Sequence, residues 1–88
     1  MALVLYGTLG CHLCDVAEAM LLRVLTVSPV DVYLQDIADD PVLVEQYGVR
    51  IPVIYNEDNG QQLDWPFDEI QLQRWLQEQL LPSLSNQE

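Results

Sequence analysis

The sequence is poor in positive charge. It contains no lysine, three arginines and 14 acidic residues, which give a formal net charge of −11 at pH 7. A negative field of this size repels the phosphates of nucleic acids and of anionic lipids. The composition therefore predicts a protein that binds neither nucleic acid nor a membrane surface. A small anionic substrate would need a local arginine to meet it.

Cysteine is also scarce, because Cys11 and Cys14 are the only two in 88 residues. Small secreted domains that depend on disulfides usually carry about four to eight cysteines. The first residues lack the basic segment of a secretory signal, and no window approaches the ~18 apolar residues of a membrane span. We therefore expect a soluble cytoplasmic protein, in which a cysteine pair with this spacing is more often catalytic or metal-binding than structural.

Short apolar segments with strand and helix periodicity follow one another along the first half of the chain. Residues 2–6 form a continuous apolar run of strand length. Residues 11–27 carry apolar side chains at helical spacing, and the proline at position 29 ends this pattern. Residues 30–34 alternate between apolar and other side chains, which is typical of a second strand.

The second half of the chain contains clear signals for where elements begin and end. An aspartate followed by a proline predicts the start of a short helix over 41–47. The segments 49–55 and 61–64 have strand character and flank an Asn-Gly turn signal, which predicts a hairpin. Asp68 and Gln71 have the spacing of a capping box that opens a last helix.

The predicted order is thus β-α-β-α-β-β-α in one domain over residues 1–88, with residues 83–88 expected to fray. Two strands joined through a helix are expected to lie parallel, whereas the hairpin strands are antiparallel. The sequence therefore predicts an α/β fold with a four-stranded mixed sheet and helices on both faces.

The cysteine pair lies where the first strand ends and the first helix begins. At a helix N-terminus the sulfur of Cys11 can meet free backbone N–H groups and the positive end of the helix dipole, and both favour the thiolate. Asp15 and the overall negative charge oppose it. Cys14 lies one helical turn further on, within reach of Cys11. We interpret Gly7 and Gly10 as positions that let the loop bend and let a partner's backbone approach.

A metal site is the alternative interpretation of the pair. Structural zinc needs four ligands. Besides Cys11 and Cys14, the only further candidate ligand at this point of the sequence is His12, which stands between them. Copper(I) accepts two soft ligands, so a metal or iron–sulfur carrier that uses the same two thiolates stays open, as does a non-catalytic interaction domain.

The stretch RIPV, residues 50–53, is the second informative feature because proline cannot donate a hydrogen bond inside a strand. A cysteine pair at the first strand–helix junction, followed by Ile-Pro at the third strand, resembles the thioredoxin superfamily. LYGTLGCHLCD together with YGVRIPV resembles a small glutaredoxin-like group, and the resemblance extends over residues 3–80.

The resemblance implies a thioredoxin-like fold and a role for each residue of these motifs. It makes Cys11 the nucleophile and Cys14 the resolving thiol. It also makes Pro52 a cis-proline that lies against the cysteines, and Ile51 the residue whose backbone pairs with a bound thiol or peptide.

Several features of glutaredoxins are absent. Histidine and leucine stand between the cysteines in place of the usual proline and aromatic residue, and no basic residue precedes Cys11. The glycine-rich stretch that helps to hold glutathione is replaced by LDWPFD, residues 63–68. Arg50 could bind a glutathione carboxylate, or it could pair with a neighbouring acidic residue. Asp68 could contact the ammonium group of glutathione, or it could serve as a helix cap.

The sequence thus predicts a glutaredoxin-like thiol–disulfide oxidoreductase with Cys11 and Cys14 as the catalytic residues. Its expected substrates are protein disulfides or glutathionylated proteins, and a cellular thiol reductant returns it to the dithiol form. Arg50, Ile51, Pro52 and Asp68 are the candidate substrate-binding or glutathione-binding residues. We expect no metal and no tightly bound cofactor, with glutathione a possible co-substrate.

Overall fold

The computed structural model describes residues 2–27 and 30–80. The expected frayed segment, residues 83–88, lies outside the described residues. The strands are β1 (Ala2–Gly7), β2 (Asp31–Asp36), β3 (Val53–Asn56) and β4 (Gln62–Asp64), and the helices are α1 (His12–Val24), α2 (Pro41–Tyr47) and α3 (Glu69–Leu80).

The four strands form one mixed sheet in the order β2-β1-β3-β4. Strands β1 and β2 are parallel, because α1 carries the chain from the end of one to the start of the other. Strand β3 runs antiparallel to β1 and pairs with β4 in the hairpin that the Asn-Gly signal predicts. The β-α-β-α-β-β-α order and the four-stranded mixed sheet are confirmed.

Each face of the sheet carries its own apolar cluster. On one face α1 and α3 pack against Leu3, Leu5 and Ile54, which are all buried. On the other face a smaller cluster joins Tyr47 of α2 to Val53 of β3. Successive residues of a strand point to opposite faces, so Val53 and Ile54 serve different clusters. Helices therefore cover both faces, as predicted.

Strand β2 differs from the prediction in position and in burial. It begins at Asp31 and continues to Asp36, two residues beyond the predicted end. The alternation suggested that Leu34 would face the core, yet Leu34 is 60% exposed. The reason is that β2 is an edge strand, while α1 packs against the residues of β1 and β3. Leu34 is thus left uncovered at the edge of the sheet, whereas Val32 on the same face is half-buried and packs against the core cluster.

The helix ends follow the capping signals. Asp40 accepts hydrogen bonds from the N–H groups of Val42 and Leu43 at the start of α2. At the start of α3, Asp68 N–H donates to Gln71 Oε1 at 2.9 Å and Gln71 N–H donates to Asp68 Oδ1 at 2.7 Å, so the predicted capping box is confirmed. Helix α1 is shorter than predicted, because its last residues, 25–27, form a 3-10 turn.

Candidate active site at the cysteine pair

Cys11 and Cys14 are joined by a disulfide, with their Cα atoms 5.2 Å apart. Cys11 is the N-cap of α1 and has an extended backbone, so the helix begins directly behind its sulfur. The N–H of Cys14 donates to Cys11 Sγ at 3.1 Å. When the disulfide is reduced, this N–H and the N-terminal end of the helix favour a thiolate on Cys11.

The two cysteines differ in exposure. Cys11 is half-buried, whereas Cys14 is only 7% exposed and belongs to the buried side of α1. A substrate disulfide can therefore reach the sulfur of Cys11 more easily than that of Cys14. The roles of Cys11 as the nucleophile and Cys14 as the resolving thiol stay predictions, and they require an asymmetry of this kind.

Gly7 has a function that the sequence did not reveal. A Cβ at this position would lie 3.1 Å from Cys14 Sγ and 3.2 Å from Cys14 Cβ. The absence of a side chain at the end of β1 therefore lets α1 bring Cys14 close to the strand. Gly10 differs, because it has a φ of +81° and open space around it. Its glycine serves the turn of the loop, in agreement with the interpretation from sequence.

The Ile51–Pro52 peptide bond is cis, as the resemblance implies. Pro52 is buried and immediately precedes Val53, which pairs with Tyr6 across the antiparallel strands. It therefore lies at the same end of the sheet as Gly7 and the cysteine loop. The N–H of Ile51 donates to Tyr47 O at 3.0 Å and is therefore already engaged, and the backbone pairing of Ile51 with a bound thiol or peptide stays a prediction.

Arg50 is engaged by an acidic neighbour. Its Nε and Nη2 donate to the two carboxylate oxygens of Asp64 at 3.0 and 3.1 Å, and Nη2 also donates to Gln62 Oε1 at 2.6 Å. The guanidinium lies over the ring of Tyr47, and its hydrogen bond with Asp64 raises the pKa of Arg50 further. A carboxylate of glutathione would have to compete with Asp64, and the role of Arg50 in binding glutathione stays a prediction.

The loop before α3 lies beside the cis-proline. The N–H of Trp65 donates to Pro52 O at 3.1 Å, and the Trp65 ring meets the buried Phe67 edge-on with centroids 5.0 Å apart. The Trp65–Pro66 bond is a second cis peptide, which the sequence did not indicate. Asp68 follows as the helix cap, so its contact with the ammonium of a ligand also stays a prediction.

A cavity of about 290 Å³ opens beside the disulfide, between α1 and the edge strand β2. Its lining includes Cys14 and three carboxylates, and none of the arginines. This cavity could not be predicted from the sequence, because its lining comes from two strands, a loop and a helix. The lining residues are Leu5, Gly7, Thr8, Leu9, Gly10, Cys14, Asp15, Glu18, Leu34, Gln35 and Asp36.

Within residues 2–27 and 30–80, no three histidine, cysteine, aspartate or glutamate side chains are arranged to hold a metal ion. The helices in the same part of the chain are also too short or too polar to cross a membrane.

Comparison with known proteins places the chain in a family. Residues 2–77 match the model of the glutaredoxin-like domain (DUF836). A crystal structure of the structural genomics target XcR50 from X. campestris is 39% identical, with a TM-score of 0.74 over 85% of this chain and 95% of that one. The solution structure of Ne2328 from Nitrosomonas europaea is 27% identical, with a TM-score of 0.71 over 84% of this chain and 88% of that one.

The likeness extends to thioredoxins at the level of fold. Thioredoxin 1 from Thermosipho africanus superposes with a TM-score of 0.72 over 99% of this chain and 100% of that one, at 15% identity. No curated protein matches the chain. The α/β fold is thus thioredoxin-like, and the chain belongs to the glutaredoxin-like domain family.

Proposed function

We propose that this protein is a thiol–disulfide oxidoreductase that reduces or exchanges disulfides through Cys11 and Cys14. The observation that carries the proposal is the asymmetry of the pair. Cys11, a half-buried residue, caps α1 and its sulfur accepts an N–H, while its bonded partner Cys14 is buried one turn further along the same helix. Membership of the glutaredoxin-like family supports the same redox chemistry.

The reaction begins from the dithiol form. The Cys11 thiolate attacks one sulfur of a substrate disulfide, and the other substrate sulfur leaves as a thiolate that takes up a proton. Cys14 then loses its proton and attacks Cys11 Sγ, which releases the second substrate thiol. The substrate gains two electrons and two protons, and the protein is left with the Cys11–Cys14 disulfide of the structure.

A thiol reductant must reopen that disulfide for the protein to turn over. We propose that the protein acts in the cytoplasm, where such reductants are available, and that its substrates are disulfide-containing or glutathionylated proteins. Glutathione can serve as a co-substrate in this proposal, and none of the steps above requires a tightly bound cofactor.

The first experiment measures the disulfide fraction by mass after equilibration in glutathione buffers of different redox potential. We expect a reversible Cys11–Cys14 bridge with a potential between about −120 and −270 mV, the range of dithiol oxidoreductases. A protein that forms no bridge at any potential would contradict the dithiol mechanism.

The two cysteine variants form a matched pair that tests the separate roles. Cys14→Ser keeps the attacking sulfur and should accumulate a mixed disulfide with the substrate, whereas Cys11→Ser should lose turnover and accumulate none. The adducts are read by intact mass after acid quenching. The roles are wrong if Cys14→Ser forms no adduct while the wild-type protein turns over.

A further inference from the structure

The cavity beside the disulfide is a groove with an apolar floor. Leu5 and Leu34 are neighbours across the parallel strands β1 and β2, so their side chains lie on the same face of the sheet. Leu5 is buried, whereas Leu34, on the edge strand, is 60% exposed. Leu9, which is 90% exposed, stands in the loop at the cysteine end. We call this cavity the α1–β2 groove.

The walls of the α1–β2 groove are acidic. Asp15 and Glu18 lie three residues apart on α1 and are therefore neighbours on the helix surface. Asp36 lies opposite them, two residues beyond Leu34 on β2 and on the same face of the sheet. Glu18 and Asp36 are half-buried. Within the described part of the chain, none of the three carboxylates is in an ion pair.

The spacing of these carboxylates argues against a metal ion as the occupant. They stand on opposite walls, and they do not form one of the compact clusters that could hold a metal among the described residues. Opposed carboxylates over an apolar floor instead complement an elongated group with an apolar stem and a cationic end. Lysine and arginine side chains have this form.

We propose that the α1–β2 groove selects disulfide substrates by binding a lysine or arginine side chain next to the substrate cysteine. The occupant is a peptide segment of a protein substrate. Cys11 does not line the groove, but Cys14 does and is bonded to Cys11, so the groove lies directly beside the sulfur that attacks the substrate. The inference rests on the proposed function and adds a substrate class to it. An anionic disulfide such as oxidised glutathione meets like charge at the same place.

Peptide disulfides that differ at one position test this selection. Three short peptides carry lysine, glutamine or glutamate next to a single cysteine, and each is presented as its symmetrical disulfide with dithiothreitol as the reductant. The observable is kcat/KM for each peptide, divided by the rate of its uncatalysed reaction with dithiothreitol. We expect the order lysine, glutamine, glutamate, with ratios that shrink as salt is raised.

Neutralised groove variants separate the groove from the overall charge of the protein. Glu18→Gln/Asp36→Asn removes two charges from the walls. The matched control Glu45→Gln/Glu78→Gln removes two charges from exposed positions on α2 and α3 that do not line the groove. We expect each groove carboxylate to account for about 1.5- to 5-fold of the lysine-to-glutamine preference, as for exposed ion pairs. The control should keep the wild-type preference within about 1.5-fold.

The outcomes distinguish the inference from the proposed function. If the preference for the lysine peptide over the glutamine peptide falls in the groove variant and persists in the control, the result supports both the oxidoreductase and the role of the groove. Equal turnover of the three peptides, or equal losses in the two double variants, overturns the groove and leaves the oxidoreductase in place. Cystamine is a small dicationic disulfide without a peptide chain. If its kcat/KM, corrected for the uncatalysed rate, equals that of the lysine peptide, the occupant of the groove is not a peptide segment. If no disulfide is turned over, the oxidoreductase proposal fails and the selection fails with it.

Discussion

Replacement of Gly7 by alanine tests the close approach of α1 to β1 at the cysteine pair. The new Cβ would lie 3.1 Å from Cys14 Sγ and 3.2 Å from Cys14 Cβ, well inside the ~3.5–4.0 Å at which carbon atoms make optimal contact. Overpacking of this kind costs about 1–3 kcal/mol. The contact with Cys14 Cβ is present in both redox forms, but the contact with the sulfur is not: Cys14 Sγ is held by its bond to Cys11 in the oxidised protein and can rotate away in the reduced one.

We therefore expect Gly7→Ala to lower the free energy of unfolding more in the oxidised form than in the reduced form. Urea titrations of both redox forms give the two values directly, and each kcal/mol corresponds to about 4–8 °C in Tm for a domain of this size. Because Gly7→Ala destabilises the oxidised form more than the reduced form, it also shifts the equilibrium between disulfide and dithiol toward the dithiol. A difference of 1.4 kcal/mol would raise the reduction potential by about 30 mV.

Gly60→Ala is the matched control. Gly60 lies in the β3–β4 turn with a φ of +77°, and the nearest atom to its built Cβ is Tyr55 Oη at 3.9 Å. Its replacement costs about 1–2 kcal/mol through the backbone, and equally in both redox forms. The packing explanation of Gly7 is refuted if Gly7→Ala has no effect on stability, or if its effect, like that of Gly60→Ala, is the same in the two forms.

Two further predictions concern side chains near the same end of the sheet. Burial first, and then the charge of Tyr47, raises the pKa of Tyr6 above its ordinary value of 10.0. The folded state thus binds the phenolic proton of Tyr6 more tightly than the unfolded state does. The free energy of unfolding therefore falls as pH rises through the raised pKa of Tyr6. Tyr6→Phe should flatten the decline of urea midpoints as pH rises above about 10, the ordinary pKa of tyrosine, and an unchanged slope would contradict this. Asp68→Ala should cost about 1 kcal/mol through loss of the capping box, and Asp68→Asn much less. If Asp68→Asn instead loses turnover of oxidised glutathione at full stability, Asp68 has the ligand role as well.

Most of the fold could be predicted from sequence because the residues that begin and end its helices and turns act on their near neighbours in the chain. The capping box of Asp68 and Gln71 forms as its spacing indicates, and Asp40 caps α2. Such signals involve residues two or three positions apart, so the rest of the chain hardly affects them. The end of α1 was less predictable, since the apolar spacing continues beyond Val24 into the 3-10 turn.

The exposure of β2 could not be predicted from its own residues. Alternation shows which side chains share a face, but the position of a strand in the sheet depends on the pairing of the others. Because β2 has a neighbour on one side only, Leu34 remains open to solvent. The apolar floor of the α1–β2 groove follows from this position at the edge.

The candidate site divides in the same way between local and tertiary features. The cysteine pair and the Ile-Pro motif are visible in the sequence and come together at one end of the sheet. The contact of Gly7 with Cys14 joins residues seven positions apart, and the pairing of Arg50 with Asp64 joins residues 14 positions apart. No local pattern specifies such pairs, so the sequence left the role of Arg50 open.

The charge distribution around the cysteines connects substrate choice with reactivity. Arg23 pairs with Glu69 and Arg50 pairs with Asp64, so two of the three arginines are occupied by carboxylates of the chain itself. The groove beside the disulfide contributes only negative charge, which opposes a thiolate on Cys11 and leaves the helix N-terminus to favour it. If a substrate places a lysine or arginine in the groove, that side chain supplies the positive charge that the chain lacks. A cationic substrate would then promote the thiolate that attacks it, whereas an anionic one would suppress it.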